Sequence, residues 1–215
     1  MPRKETCIYC GRKQGVTDDH VPPKCFFADP CPNGVQRITV PCCENCRTAD
    51  EKSESFVRNT LAALPETEAM PYVREHIEPR VRRSIGRARW ESRRTINILR
   101  SKPVAILTES GLKTAFAPAY DLNIPEMDRF FERIARAALY ATCDKPFFAA
   151  VFAWREISKT DVQPLSILLC LGEKRRVDHV FFYCLSQRIN GFTYYVYAEF
   201  YQAIGFLIEV KEIVA

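Results

Sequence analysis

The sequence predicts an α+β protein in three parts, and three observations carry that prediction. Seven of the ten cysteines fall within the first 46 residues, among the proline-bearing segments VPPK and DPCPNG, so residues 1–64 read as a small, loop-rich, metal-stapled module. Nine arginines stand between positions 74 and 100 against only Glu75, Glu78 and Glu91, so residues 65–102 read as a basic helical connector. Beyond it, β-branched and aromatic runs surround one long amphipathic segment, the composition of a mainly antiparallel α+β domain over residues 103–215.

With 215 residues, 47% hydrophobic and 27% charged, the chain is long enough to bury a sizeable core, which excludes wholesale disorder. Residues 1–54 balance eight basic against eight acidic side chains, whereas the arginine segment carries a net charge of +6, so the basic character is localised. No uncharged apolar run reaches membrane-spanning length, and MPRKETC lacks the apolar stretch of a signal peptide. A cytoplasmic protein with no membrane partner is expected. In that reducing compartment clustered cysteines favour metal binding over disulfides. Cys143, Cys170 and Cys184 lie in apolar sequence and read as small buried hydrophobes.

Each element follows from local pattern. Residues 50–64 lack Gly and Pro and place Phe56, Val57, Leu61 and Leu64 at helical spacing, with Pro65 as a stop. Across residues 71–100, Val73, Ile77, Val81, Ile85 and Trp90 recur about once per turn, which predicts a helical arm interrupted at Pro79 and Gly86. TINILRS, KTAFAPAY, FFAAVFAW, LSILLCLG, DHVFFYCL, GFTYYVYAEF and IGFLIEVKEIV read as strands. PEMDRFFERIARAALYATC, from Pro125, opens on proline and acids and then turns basic, as a helix dipole favours.

The strongest chemical signal is a pair of C-x2-C knuckles, Cys7-Ile-Tyr-Cys10 and Cys43-Glu-Asn-Cys46. Each turns the chain back on itself so that two thiolates face one ion, and four sulfurs close a tetrahedral zinc shell. Such a zinc has no open coordination position and is expected to be structural. Cys42 with Cys46 offers a C-x3-C alternative to the second knuckle; the C-x2-C spacing favours Cys43. Cys25 and Cys31 lack partners for a second ion.

Between the knuckles stands Asp19-His20-Val-Pro-Pro-Lys, followed by Ile-Thr-Val-Pro just before the second one. Residues 7–58, read together, resemble the HNH endonuclease family, specifically its bacterial members with four zinc-binding cysteines. RFFERIARAALY and FTYYVYAEFY resemble, less specifically, the C-terminal extension of some of those proteins. The resemblance implies a ββα-metal module that hydrolyses DNA phosphodiester bonds, with Asp19 as ligand to a catalytic divalent metal such as magnesium or manganese. His20 would be the base that activates water. Adjacent residues of a strand point to opposite faces, so a bend is expected to bring both side chains to one site.

Two positions depart from the family pattern. Aligned through Ile-Thr-Val-Pro, the family's asparagine falls on Gln36, whose amide would orient His20 at altered reach. The Asn or His that follows the second knuckle falls on Arg47, a cation that would oppose another cation. Asp50, Glu51 or Glu54 on the next helix would offer a replacement carboxylate, against a plainer reading as a solvated helix start.

Arg82, Arg83, Arg87, Arg89, Arg93 and Arg94, with Arg47, form the candidate nucleic-acid contact, since guanidinium groups clamp phosphates in pairs of hydrogen bonds. His76 and His179 read as surface decoration and a strand cap, and Phe192, Tyr194, Tyr195, Tyr197, Phe200 and Tyr201 as a core strand with its rim. The expected function is a metal-dependent HNH-type DNA endonuclease. Its alternative is a catalytically degenerate, zinc-stabilised nucleic-acid-binding protein. The oligomeric state is left open.

Overall fold

The alternation in VTDDHV and ITVPCC becomes a two-stranded antiparallel ribbon, β1 (Val16–Val21) and β2 (Ile38–Cys43), in unbroken register from Val16 opposite Cys43 to Val21 opposite Ile38. The computed structural model describes residues 6–13, 16–87, 102–108, 110–119, 125–157, 166 and 172–213. Helix α1 (Glu44–Ala62) starts inside the second knuckle, ahead of the expected residue 50, with Cys43 as its N-cap and Glu44 in the first turn, where the dipole favours an acid. Pro65 ends this helix and opens the short α2 (Pro65–Glu68) from its first position, which needs no N–H.

The arm from Pro71 to Arg87 is helical and runs through Pro79 without the expected interruption. A π-turn over Val73–Ile77 precedes α3 (Glu78–Arg87), and the Glu78 N–H donates back to Val73 O. That shift in register comes just before Pro79, so the proline sits near the start of α3 and does not break it. Gly86 lies inside the last described turn of α3. The hairpin β3 (Lys102–Leu107) and β4 (Lys113–Ala119) follows. The expected strand TINILRS lies outside the described residues, as does most of LSILLCLG.

Helix α4 (Pro125–Cys143) spans the segment that sequence marked. It packs on a five-stranded antiparallel sheet made of β5 (Ala150–Ile157), β6 (Glu173–Val177), β7 (Phe181–Leu185), β8 (Thr193–Phe200) and β9 (Ile204–Glu212), in the order β5-β9-β8-β7-β6. The fold is thus mixed α+β with antiparallel sheets. β6, EKRRV, escaped the sequence reading because an edge strand does not need an apolar face.

One core joins the cysteine-rich module to this sheet. After β1, a single 3-10 turn (Lys24–Phe26) drives Phe26 into the interior, where its ring lies 5.3 Å from Phe130 of α4, 5.6 Å from Phe200 of β8 and 6.4 Å from Tyr201. Full burial of such a ring contributes roughly 1.5–3 kcal/mol. The connector clamps the same turn: Arg80 donates to Phe27 O at 2.6 Å, and the Ala28 N–H donates to the Tyr72 hydroxyl at 2.9 Å. Among the described residues no helix is long and apolar enough to cross a membrane.

Candidate metal centre

The first knuckle is a turn closed by the Gly11 N–H on Cys7 O at 2.9 Å, with Gly11 at φ +76°, a conformation that glycine adopts without strain. The Ile8 N–H donates to Pro41 O at 3.0 Å, fastening this turn to β2 just ahead of the second knuckle. β2 then delivers Cys43 as N-cap of α1 and the helix's first turn delivers Cys46. The four sulfurs of Cys7, Cys10, Cys43 and Cys46 lie within 4.8 Å of one another, with Cys10 and Cys43 at 3.6 Å. A tetrahedral zinc with its usual sulfur distances needs sulfur–sulfur edges of about 3.8 Å, so the set fits the ion.

Hydrogen bonding favours the thiolate at Cys43, whereas burial foremost pushes the Cys10 and Cys46 thiols up. Burial pushes the Cys43 thiol up, but the Cys46 N–H and the neighbouring thiols outweigh it and bring its pKa to about 7. The helix N-terminus also favours a thiolate there. Cys42 faces the interior and donates to Cys43 O at 3.3 Å, outside the cluster, while burial holds its thiol protonated. Cys25 is half-buried, its pKa pushed up to about 12 foremost by desolvation and then by Glu54. Among the described residues no other group of three or more Cys, His, Asp or Glu ligands converges.

Asp19 and His20 sit side by side on β1 and face opposite ways. The register runs straight through Asp19 opposite Val40 and His20 opposite Thr39, without the expected bend, so strand alternation sends Asp19 inward and His20 outward. Asp19 is only 7% exposed. Its Oδ1 meets Arg133 Nη2 at 2.6 Å, and its Oδ2 accepts from Arg133 Nε at 3.1 Å and from the Tyr9 hydroxyl at 2.8 Å. Arg133, 5% exposed, also donates to Glu54 Oε1 at 2.6 Å and lies 5.4 Å from the Tyr9 ring centroid. Burial works against its charge, but Tyr9, Asp19 and Glu54 outweigh it and raise its pKa above the ordinary arginine value.

Asp19 and Glu54 therefore do converge, as a carboxylate pair holding a cation would, but around a guanidinium from α4. These residues do not fit a catalytic divalent metal as they stand: the inward oxygens of Asp19 are taken up by donors, and a second cation would face Arg133. Arg133 and Tyr9 are the two participants that sequence reading missed. Tyr9 lies between the cysteines of the first knuckle. Arg133 is 114 residues from Asp19, and its signal was a charge set on the apolar stripe of RFFERIARAALY.

His20 is exposed on the other face, with Nδ1 3.2 Å from Thr39 Oγ1. Partial burial first, and Arg37 second, lower its pKa from the usual 6.5, which keeps the ring neutral at pH 7. Gln36 is exposed in the loop ahead of β2. Arg47 lies on α1, where Glu44 at 2.5 Å and Glu51 at 3.1 Å neutralise it. Of the arginine segment, Arg82 and Arg83 are exposed on α3, Arg82 pairing with Glu78 at 2.5 Å. Only the backbone of Arg87 is placed, and Arg89, Arg93 and Arg94 lie outside the described residues. Comparison with protein-family models, curated proteins and solved structures finds no match to this chain.

Proposed function

We propose that the chain is a zinc-stapled, nucleic-acid-binding protein with an HNH-like ββα module, in which an arginine from the C-terminal region has taken the place of a catalytic cation. One observation carries this reading: Asp19, the expected metal ligand, is gripped through both carboxylate oxygens by Arg133, which also holds Glu54. The HNH-like architecture is supported by the order β1, β2, α1, with knuckle cysteines before β1 and at the β2–α1 junction. The zinc cluster holds the ends of the hairpin and helix together and takes no part in chemistry.

Nucleic-acid contact rests on charge. Exposed Arg74, Arg82 and Arg83 begin a basic arm whose sequence runs on to Arg100, and His20 and Arg37 lie close enough on the hairpin for Arg37 to depress the histidine's pKa. Guanidinium groups neutralise neighbouring phosphates and release counterions, so binding should be salt-dependent and tolerant of sequence. A second reading, the metal-dependent endonuclease, is favoured by one feature: His20 is exposed and neutral, as a general base must be.

The two readings separate in a plasmid-nicking assay with magnesium, manganese or chelator, run beside a DNA-binding titration across salt concentrations. The proposal expects binding that weakens with salt, and nicking no greater in wild type than in His20→Ala. Metal-dependent nicking lost in His20→Ala would establish the endonuclease instead. Absence of binding to both DNA and RNA would remove the nucleic-acid assignment.

A further inference from the structure

The two edges of the five-stranded sheet are defended very differently. β6 carries Glu173, Lys174, Arg175 and Arg176 within five residues, a charged border that discourages pairing with another strand. β5, AVFAWREI, has neither lysine nor proline and pairs in unbroken register with β9 alone among the described strands. Val151, Ala153, Arg155 and Glu156 are exposed along it.

The exposed apolar surface gathers at one end of the sheet, the end where β5 starts. Of the five large exposed hydrophobics among the described residues, Phe148, Val151, Phe192 and Ile213 surround the start of β5, and only Leu112 lies elsewhere in sequence. The Ile213 N–H donates to Ala149 O at 2.8 Å and the Glu212 N–H to Phe192 O at 2.9 Å, so these residues belong to one end of the sheet. β5 is also held firmly from beneath. The Trp154 indole donates to Asp128 of α4 at 2.8 Å and its ring lies 4.6 Å from Phe131, while Arg136 stands 4.7 Å over Phe152. Residues 150–154 of β5 carry no charge, its only charges being Arg155 and Glu156 near the far end, and an edge strand so lightly defended is a template for another strand.

We propose that the chain self-associates through β5, which pairs antiparallel with β5 of a second copy about a two-fold axis at Ala153. The strand's own sequence selects this occupant. A two-fold normal to the sheet keeps each face in register, so residues directly opposite sum to twice the axial position. Phe152 then faces Trp154 of the second copy, Val151 faces Arg155 and Ala150 faces Glu156. No like charges oppose each other, the arginine's aliphatic stem covers Val151, and two aromatic pairs form on the inner face. Moving the axis to Arg155 would set two guanidinium groups face to face.

Sedimentation velocity of the full chain over a concentration series tests this, with Ala153→Lys and Ala153→Glu as variants. Position 153 is exposed, so both side chains are accommodated in the monomer, and unchanged circular dichroism and melting verify that. Wild type is expected to dimerise, each variant alone to run at half that mass, and an equimolar mixture of the two to recover the dimer, because lysine and glutamate then meet across the axis. Wild type that stays monomeric throughout, or variants that dimerise like wild type, would overturn the proposal. A mixture that fails to recover the dimer would overturn the register at Ala153.

Discussion

Arg133→Met tests the central feature of the site. The substitution keeps the helix-forming, apolar part of the side chain but deletes the donors to Asp19 at 2.6 and 3.1 Å and to Glu54 at 2.6 Å. Asp19, almost wholly buried, loses the guanidinium that pairs with both its oxygens, and Glu54 loses the same donor. Breaking a buried ion pair from one side costs about 3–5 kcal/mol, because the surviving charge stays desolvated. For a chain of this size, 1 kcal/mol moves the melting temperature by roughly 2–4 °C, so a loss of about 6–20 °C is expected. Thermal and urea melts at pH 7 measure it. Adding Asp19→Asn and Glu54→Gln removes the stranded charges and should restore most of the stability. Magnesium, which avoids thiolates, should stabilise Arg133→Met by occupying the space between the carboxylates, by about 2.7 kcal/mol at a hundredfold excess over its dissociation constant. It should leave wild type unmoved. If Arg133→Met melts like wild type, or magnesium stabilises wild type and Asp19→Asn abolishes that effect, then the guanidinium does not stand in for a cation.

Three further outcomes follow from the same geometry. Cys43→Ser should lose bound zinc and unfold the hairpin end of α1, whereas Cys42→Ser, whose sulfur points away from the cluster, should keep a full equivalent by elemental analysis. The His20 ring should titrate below 6.5 by NMR and move upward in Arg37→Gln; because its folded pKa is depressed, its small stabilising contribution is present above 6.5 and fades as pH falls. A bound phosphate backbone would raise that pKa, so nucleic-acid affinity should strengthen on acidification. At the alkaline end, burial raises Tyr201 well above 10.0, with Cys25 adding to the shift, and burial with Glu199 raises Tyr197. The unfolded chain then gives up protons that the native state retains, so stability should fall as pH rises past about 10, with a shallower slope in Tyr201→Phe. Urea midpoints at successive pH values check it.

What could be read from the sequence was what local spacing determines. Two knuckles, each with two intervening residues, picked out the four cysteines whose sulfurs converge, and the preference for Cys43 over Cys42 matches a cluster that excludes Cys42. α4 emerged over its full length because proline, acids and an apolar stripe mark it without help from tertiary contacts. The same reasoning failed where strand geometry competes with motif expectation. Asp19 and His20 were expected to share a site through a bend, yet the ribbon keeps its alternation because Val21, Ile38 and Val40 must all face the core. Arg133 was out of reach for a different reason. Only the packing of α4 on the hairpin brings it to Asp19, and no local pattern encodes that encounter.

The Arg133 network also changes what the departures at Gln36 and Arg47 mean. Arg47 is half-buried on α1 and paired there with Glu44 and Glu51, so the position that departs from the family pattern is engaged within its own helix. The cation that does reach Asp19 comes from α4. It is held on one side by Tyr9, which the cysteines of the first knuckle position, and on the other by Glu54 of the helix that the second knuckle begins. The first cysteine knuckle and the C-terminal helix thus converge on one carboxylate of the hairpin, and supply Tyr9 and Arg133 as its donors. Restoring an asparagine or histidine at position 47 would leave that carboxylate just as occupied. A cation-dependent site would first require removal of the guanidinium, and the buried charges that removal exposes are the reason the ion pair persists.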